Sequence, residues 1–120
     1  MARILLIGFD DATAGLIGPL VRQENHKCDR LSMDQIGGLP PSADVILASG
    51  DHRNCLKLLT TLRAQSCKVP FIVVNRLPET ARWLDALEAG ATDYWAAPFE
   101  RIQLRWLLQA ALARTSRAAA

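Results

Sequence analysis

Three short stretches constrain the fold most: Ile4-Leu5-Leu6-Ile7, Val45-Ile46-Leu47-Ala48 and Phe71-Ile72-Val73-Val74 are apolar without interruption, and each stops at a glycine or polar residue. A strand with one wetted face alternates in polarity, whereas an unbroken run needs apolar neighbours on both faces, as in a parallel sheet lying under helices. Lys27 to Leu31 is a poorer, polar strand suited to a sheet edge, and Thr92 to Ala96 makes a final strand.

The segments between the runs have helical spacing. Asp11 or Thr13 is placed to cap a helix carrying Ile17, Leu20 and Val21, weakened in its first turns by Gly15, Gly18 and Pro19. A later helix gathers Cys55, Leu58, Leu59 and Leu62 on one face, with Lys57 and Arg63 turned outward. Pro78 opens the next, with Glu79 beside its positive end and Gly90 closing it. Leu104, Leu107, Leu108, Ala111 and Leu112 mark a terminal helix that fades at Thr115-Ser116-Arg117. From 32 to 42 there is room for only a turn or two of helix before Gly37-Gly38-Leu39-Pro40-Pro41. Five strands alternating with five helices require right-handed crossovers, which give a parallel sheet covered on both faces. The site of such a sheet lies at the carboxyl ends of its strands: here Gly8 to Asp11, Ser49 to Asn54, Asn75 to Leu77 and Ala96 to Pro98.

A chain of 120 residues makes one domain, read as 1–113 with 114–120 as a linker or tail. Fourteen basic and twelve acidic side chains give a net charge of +2, too small an excess for a dedicated nucleic-acid binder. Cys28, Cys55 and Cys67 are odd in number and lack C-x-x-C spacing, which suits free thiols in a reducing, cytoplasmic compartment. The opening apolar run is too short for a signal peptide or membrane span.

The chain resembles the receiver domain of bacterial two-component response regulators. Three stretches carry the resemblance: Ala43-Asp44-Val45-Ile46-Leu47, Ala86-Leu87-Glu88-Ala89-Gly90-Ala91-Thr92-Asp93-Tyr94 and Ala97-Pro98-Phe99. It implies an α/β flavodoxin-like (βα)5 three-layer sandwich with sheet order 2-1-3-4-5. It also implies an acid pair for Mg²⁺ after the first strand, a nucleophilic aspartate ending the third, a hydroxyl after the fourth and a lysine before the proline after the fifth. Those positions fall on Gly8 and Phe9, Ser49, Asn75 and Ala97. Every reactive group is missing. A serine hydroxyl accepts a phosphoryl group poorly without a base and a metal. The expectation is a degenerate, phosphorylation-independent pseudo-receiver: a signalling and interaction module, not an enzyme, with no cofactor and no metal.

Alternatives are set against it. Asp10, the third acid beside the family's pair, with Asp11 and Asp51 has the oxygen chemistry of a displaced metal site, and Asp51 is a displaced acceptor in an atypical receiver. The plainer reading has Asp11 capping a helix and Asp51 in a solvated turn. A neutral crevice lined by Ser49, Gly50 and Asn75 suits a small ligand, without a glycine-rich phosphate loop. Phe9 is expected to fill part of the vacated pocket. Tyr94 matches the family's switch aromatic, set against the plainer reading of a packed tyrosine, and the bond preceding Pro98 matches one that is cis in the family.

A second stripe on the terminal helix, Ile102, Trp106 and Ala113, is expected to face outward beside Trp95 and the preceding helix with Arg82, Trp83 and Asp85, under a basic rim of Arg101 and Arg105. Tryptophan and arginine ringed by polar groups are common interface anchors. In the receiver family the fourth helix, fifth strand and fifth helix serve for dimerisation or for docking an output domain. A homodimer or protein partner on that face is the expectation, with an attached output domain and with no direct nucleic-acid or membrane contact.

Overall fold

The computed structural model describes residues 2–33, 42–77 and 79–119, with side chains as far as Ala113. Its elements are β1 (Arg3–Ile7), α1 (Asp11–Gln23), β2 (Lys27–Leu31), β3 (Val45–Ala48), α2 (His52–Ala64), β4 (Phe71–Asn75), α3 (Thr80–Glu88), β5 (Asp93–Ala96) and α4 (Arg101–Ala119). The five strands form one parallel sheet in the order β2-β1-β3-β4-β5. The helix expected between 32 and 42 falls mostly outside the described residues, as does Pro78; the fourth and fifth helices of the sequence reading are therefore α3 and α4.

The apolar runs form the middle of the sheet, where Ile4 is opposite Val45 and Leu47 is opposite Ile72. Their side chains alternate between two cores. Ile4, Leu6, Val45, Leu47, Ile72 and Val74 face α1 and α4, packing with Ile17, Val21, Leu104, Leu108 and Ala111. Leu5, Ile7, Ile46, Ala48, Phe71 and Val73 face α2 and α3, packing with Cys55, Leu58, Leu59, Leu62 and Ala86. Each fully buried aliphatic side chain contributes about 1.5–3 kcal/mol, so these two layers dominate the stability. Polar β2 stands at one edge and β5 at the other.

Helix α3 is lightly held. Ala86 is its only buried residue, while Trp83, Leu84 and Leu87 are exposed. Arg63 was expected to turn outward; instead its guanidinium folds back, donating to the carbonyls of Cys67 and Val69 at 2.8 Å and of Gly90 at 3.1 Å. That clamp ties the end of α2 to the start of β4 and to the turn that follows α3. It supplies a partner for three carbonyls that lie outside the strands and helices.

Two caps also differ from expectation. Asp10, not Asp11 or Thr13, caps α1, its Oδ1 accepting the Thr13 amide at 2.7 Å. Asp51, expected in a solvated turn, caps α2 by accepting the Arg53 amide at 3.4 Å. Both serve helix ends whose first N–H groups lack partners within the helix. The three cysteines are free; Cys55 is buried and the other two half-buried.

Candidate functional site

The carboxyl ends of β1 and β3 meet through two glycines. Gly8 has φ +74° and Gly50 φ +106°, a region that disfavours any side chain. A β-carbon on Gly50 would approach the Gly8 carbonyl oxygen at 3.2 Å. The Ser49 amide donates to the Ile7 carbonyl at 2.9 Å, and the Gly8 amide donates to the Leu31 carbonyl at 3.1 Å. Backbone thus fills the position where the family resemblance places the first metal-binding acid.

Phe9, expected to fill the vacated pocket, does not. It is only 6% exposed and packs in the core between the sheet, α1 and α4. The turn at Gly8 sends the next side chain inward, where burial of an aromatic ring is most favourable.

The crevice is instead organised by a residue that the sequence reading passed over. Arg76, which follows β4 directly, places Nη2 3.1 Å from Asp10 Oδ1 and donates from Nε to Thr13 Oγ1 at 2.9 Å. Its signal was a cation one residue past a strand end, within the stretch Asn75 to Leu77 already singled out. Thr13, foremost through its amide and also through its hydroxyl, holds the Asp10 carboxyl below its ordinary range, and Arg76 and Arg30 add to this. Arg30 meanwhile donates to the Phe9 carbonyl at 2.8 Å and pairs with Asp11 at 2.9 Å. The expectation of a crevice poor in fixed charge is corrected: charges are present, but they are spent on one another.

Asp10, Asp11 and Asp51 are consequently each committed, to Arg76 and a cap, to Arg30, and to a cap. Among the described residues, no group of three His, Cys, Asp or Glu side chains is placed to hold a metal ion. The remaining cavity, about 420 Å³, is lined by Asp10, Thr13, Ser49, Gly50, Asn75, Arg76 and Leu77. Asn75 turns toward its own loop, its Oδ1 accepting the Leu77 amide at 3.3 Å. His52 points away to Asp85, at 3.4 Å, linking α2 to α3. Asp10, the one carboxylate among the lining residues, is tied to Arg76 and to the Thr13 amide, and the acceptor position of the family resemblance holds a serine, whose hydroxyl needs a base to react.

Beyond the crevice, the Ala97–Pro98 bond is cis. Tyr94 packs against the core under α2 and α3, and its buried hydroxyl has no hydrogen-bond partner among the described residues. A cavity of about 230 Å³ beside it is lined by Glu79, Thr80, Trp83, Tyr94 and Ala96.

The residues read as an interaction surface divide. Trp106, at 62%, Trp83, at 44%, and Ile102, at 40%, are exposed. Trp95 is not: it is 4% exposed, its Nε1 donates to Gln103 Oε1 at 3.0 Å, and its ring meets Phe99 edge-on at 4.9 Å. A tryptophan at a sheet edge gains more from burial under α4 than from exposure. Arg101 and Arg105 do not form a free basic rim, since both reach back 2.7 Å to Glu24 at the end of α1. Arg105 first, then Arg101, hold the Glu24 carboxyl down to about 2. Arg82 pairs with Glu79 at 2.8 Å.

No protein-family model matches the chain, and no curated protein sequence does. Solved structures match it well. The receiver domain of a Francisella response regulator is 22% identical, covers 96% of this chain and 99% of its own, and superposes with a TM-score of 0.78. The receiver domain of a Pseudomonas aeruginosa sensor histidine kinase, whose active-site cleft coordinates a magnesium ion, is 23% identical over 93% of this chain and 98% of its own, with a TM-score of 0.78. NtrX from Brucella abortus is 18% identical with a TM-score of 0.84; it covers 98% of this chain, which spans 28% of NtrX. The chain has the flavodoxin-like fold of bacterial response-regulator receiver domains. No described helix is long and apolar enough to cross a membrane.

Proposed function

We propose that this chain is a phosphorylation-independent receiver-like module, made of residues 1–113 of a regulatory protein, that signals by binding protein rather than by accepting a phosphoryl group. The observation that carries this reading is how the crevice is occupied: Gly8 backbone abuts Ser49, and Arg76 is tied to Asp10. Phosphoryl transfer to a receiver needs an acceptor carboxylate, a divalent cation and a counter-charge at one point. Here the acceptor position is Ser49, and the remaining carboxylates already have partners. The resident guanidinium offsets Asp10 without metal, and the arrangement requires no external ion to be stable.

Partner binding would then fall on the surface formed by α3, β5 and α4. The exposed side chains of Trp83, Leu84, Leu87, Ile102 and Trp106 support this, because soluble domains seldom leave so many large apolar groups uncovered. The Tyr94 amide is held by the Asp93 carboxylate at 2.8 Å. That bond blunts the β5 edge and favours docking through side chains over strand addition. The test is a series of amide NMR spectra with acetyl phosphate and Mg²⁺. Unchanged resonances at the strand ends and along α3 are expected; coordinated shifts of both regions would overturn the proposal.

A further inference from the structure

We infer that the crevice at the carboxyl ends of β1, β3 and β4 binds a free α-amino acid with an uncharged side chain, its carboxylate on Arg76 and its ammonium on Asp10. This deepens the interaction-module reading and rests on it in one respect, that no phosphoryl group takes the ligand's place.

One buried residue sets both charges. Thr13 is only 2% exposed; its amide donates to Asp10 Oδ1 at 2.7 Å, and its hydroxyl oxygen accepts from Arg76 Nε at 2.9 Å. A carboxylate and a guanidinium anchored in this way are in position before a ligand arrives, so binding orders little further. The two neutralise each other, yet both stay open to the cavity, with 63% of the Asp10 side chain and 54% of the Arg76 side chain exposed. An ion pair so exposed is worth little by itself. The described bonds of Arg76 use Nε and Nη2, and those of Asp10 end on Oδ1. That leaves Nη1 and the outward lone pairs of the carboxylate for a ligand.

The spacing and the charge sum select the ligand. In an α-amino acid the ammonium and carboxylate are joined through a single carbon, so they stand about as far apart as Arg76 Nη2 and Asp10 Oδ1, at 3.1 Å. Such a zwitterion lies alongside the pair with opposite charges facing, and each contact is a charge-assisted hydrogen bond. Among the described lining residues, Asp10 and Arg76 are the only ionisable ones, and their charges cancel. A net-neutral zwitterion matches that sum. A phosphate dianion, or an amino acid with a charged side chain, leaves a charge without a counterpart. Ser49 and Asn75 offer hydrogen bonds and Leu77, 64% exposed, an apolar wall, around a volume of about 420 Å³ that is in the range of small-ligand sites.

Amide NMR on the 120-residue chain, titrated with each of the common L-amino acids to about 10 mM and with no phosphoryl donor present, tests this. At least one amino acid with a neutral side chain should shift the Ser49, Gly50, Asn75 and Arg76 amides saturably, with a Kd of about 1 mM or tighter. Its carboxamide and its N-acetyl derivative, which each lack one charge, should bind about tenfold more weakly or worse. The same loss is expected for the unmodified amino acid on Arg76→Gln and on Asp10→Asn, the second of which keeps a residue suited to the α1 cap. The derivatives probe the same contacts on the wild type, so the inference stays refutable even where a variant fails to fold. It is overturned if no amino acid shifts those amides, if inorganic phosphate or either derivative binds as tightly, or if a folded variant binds unchanged. A chain that binds no amino acid and gains no phosphoryl group sinks this inference alone, whereas phosphoryl gain sinks the module reading.

Discussion

A β-carbon on Gly8 would lie 2.5 Å from the carbonyl oxygen of Ser49. The contact is with backbone, so nothing nearby can yield cheaply, and the positive φ penalises any side chain besides. Gly8→Ala is expected to cost at least about 2 kcal/mol in urea unfolding. Gly8→Asp, meant to restore the missing acid, should be destabilising too and should not create a Mg²⁺ site. Gly15→Ala is the control. It sits inside α1 with open space around it, and replacement there should stabilise by about 0.5–1 kcal/mol.

Tyr94 buries a hydroxyl with no partner among the described residues. Desolvating such a group without a compensating bond costs about 1–3 kcal/mol, so Tyr94→Phe should leave stability unchanged or raise it by about 1 kcal/mol. Thermal unfolding decides the point. A loss of stability would mean that the hydroxyl is bonded in solution.

Glu24 couples α1 to α4 through two arginines, with its carboxyl lowered from 4.5 to about 2. A carboxyl depressed in the folded state contributes stability above its unfolded value and loses it as pH falls through the folded value. Glu24→Gln should therefore be less stable than wild type at neutral pH. The gap should narrow from about pH 4.5 downward and close near pH 2. Parallel urea titrations across that range would show it, and a constant gap would contradict the assignment.

Cys55 is buried, and burial raises its thiol to about 11, with Asp51 adding to the effect. Thiolate is the reacting form, so iodoacetamide at neutral pH should leave Cys55 unmodified in the native protein and label it on unfolding. Peptide mapping after timed alkylation reads this directly.

Much of the fold was legible because its physics is local. Unbroken apolar runs identify strands buried on two faces, and polar Lys27 to Leu31 identifies an edge. The missing acids were equally plain, since an absent side chain leaves no ambiguity. What escaped depended on direction. Asp10 and Asp11 are both plausible caps, and only the path of the chain after Gly8 selects the first. That same turn sends Phe9 into the core rather than the crevice. Trp95 alternates with Tyr94 along β5, so the face each takes follows the pleat and not its composition. Arg63, Arg101 and Arg105 read as solvated charges and Arg76 carried no reading of its own, yet each long side chain bends to a carbonyl or carboxylate far away in sequence.

On the proposed reading, this crevice brings no cation, acceptor carboxylate and counter-charge together at one point. Intact-mass measurement after incubation with acetyl phosphate and Mg²⁺ checks this on wild type and on Arg76→Gln, which removes the guanidinium beside Asp10 and leaves its cap to Thr13. An unmodified mass for both chains is expected. Stoichiometric gain of a phosphoryl group, lost on brief treatment with hydroxylamine as an acyl phosphate would be, would contradict the account.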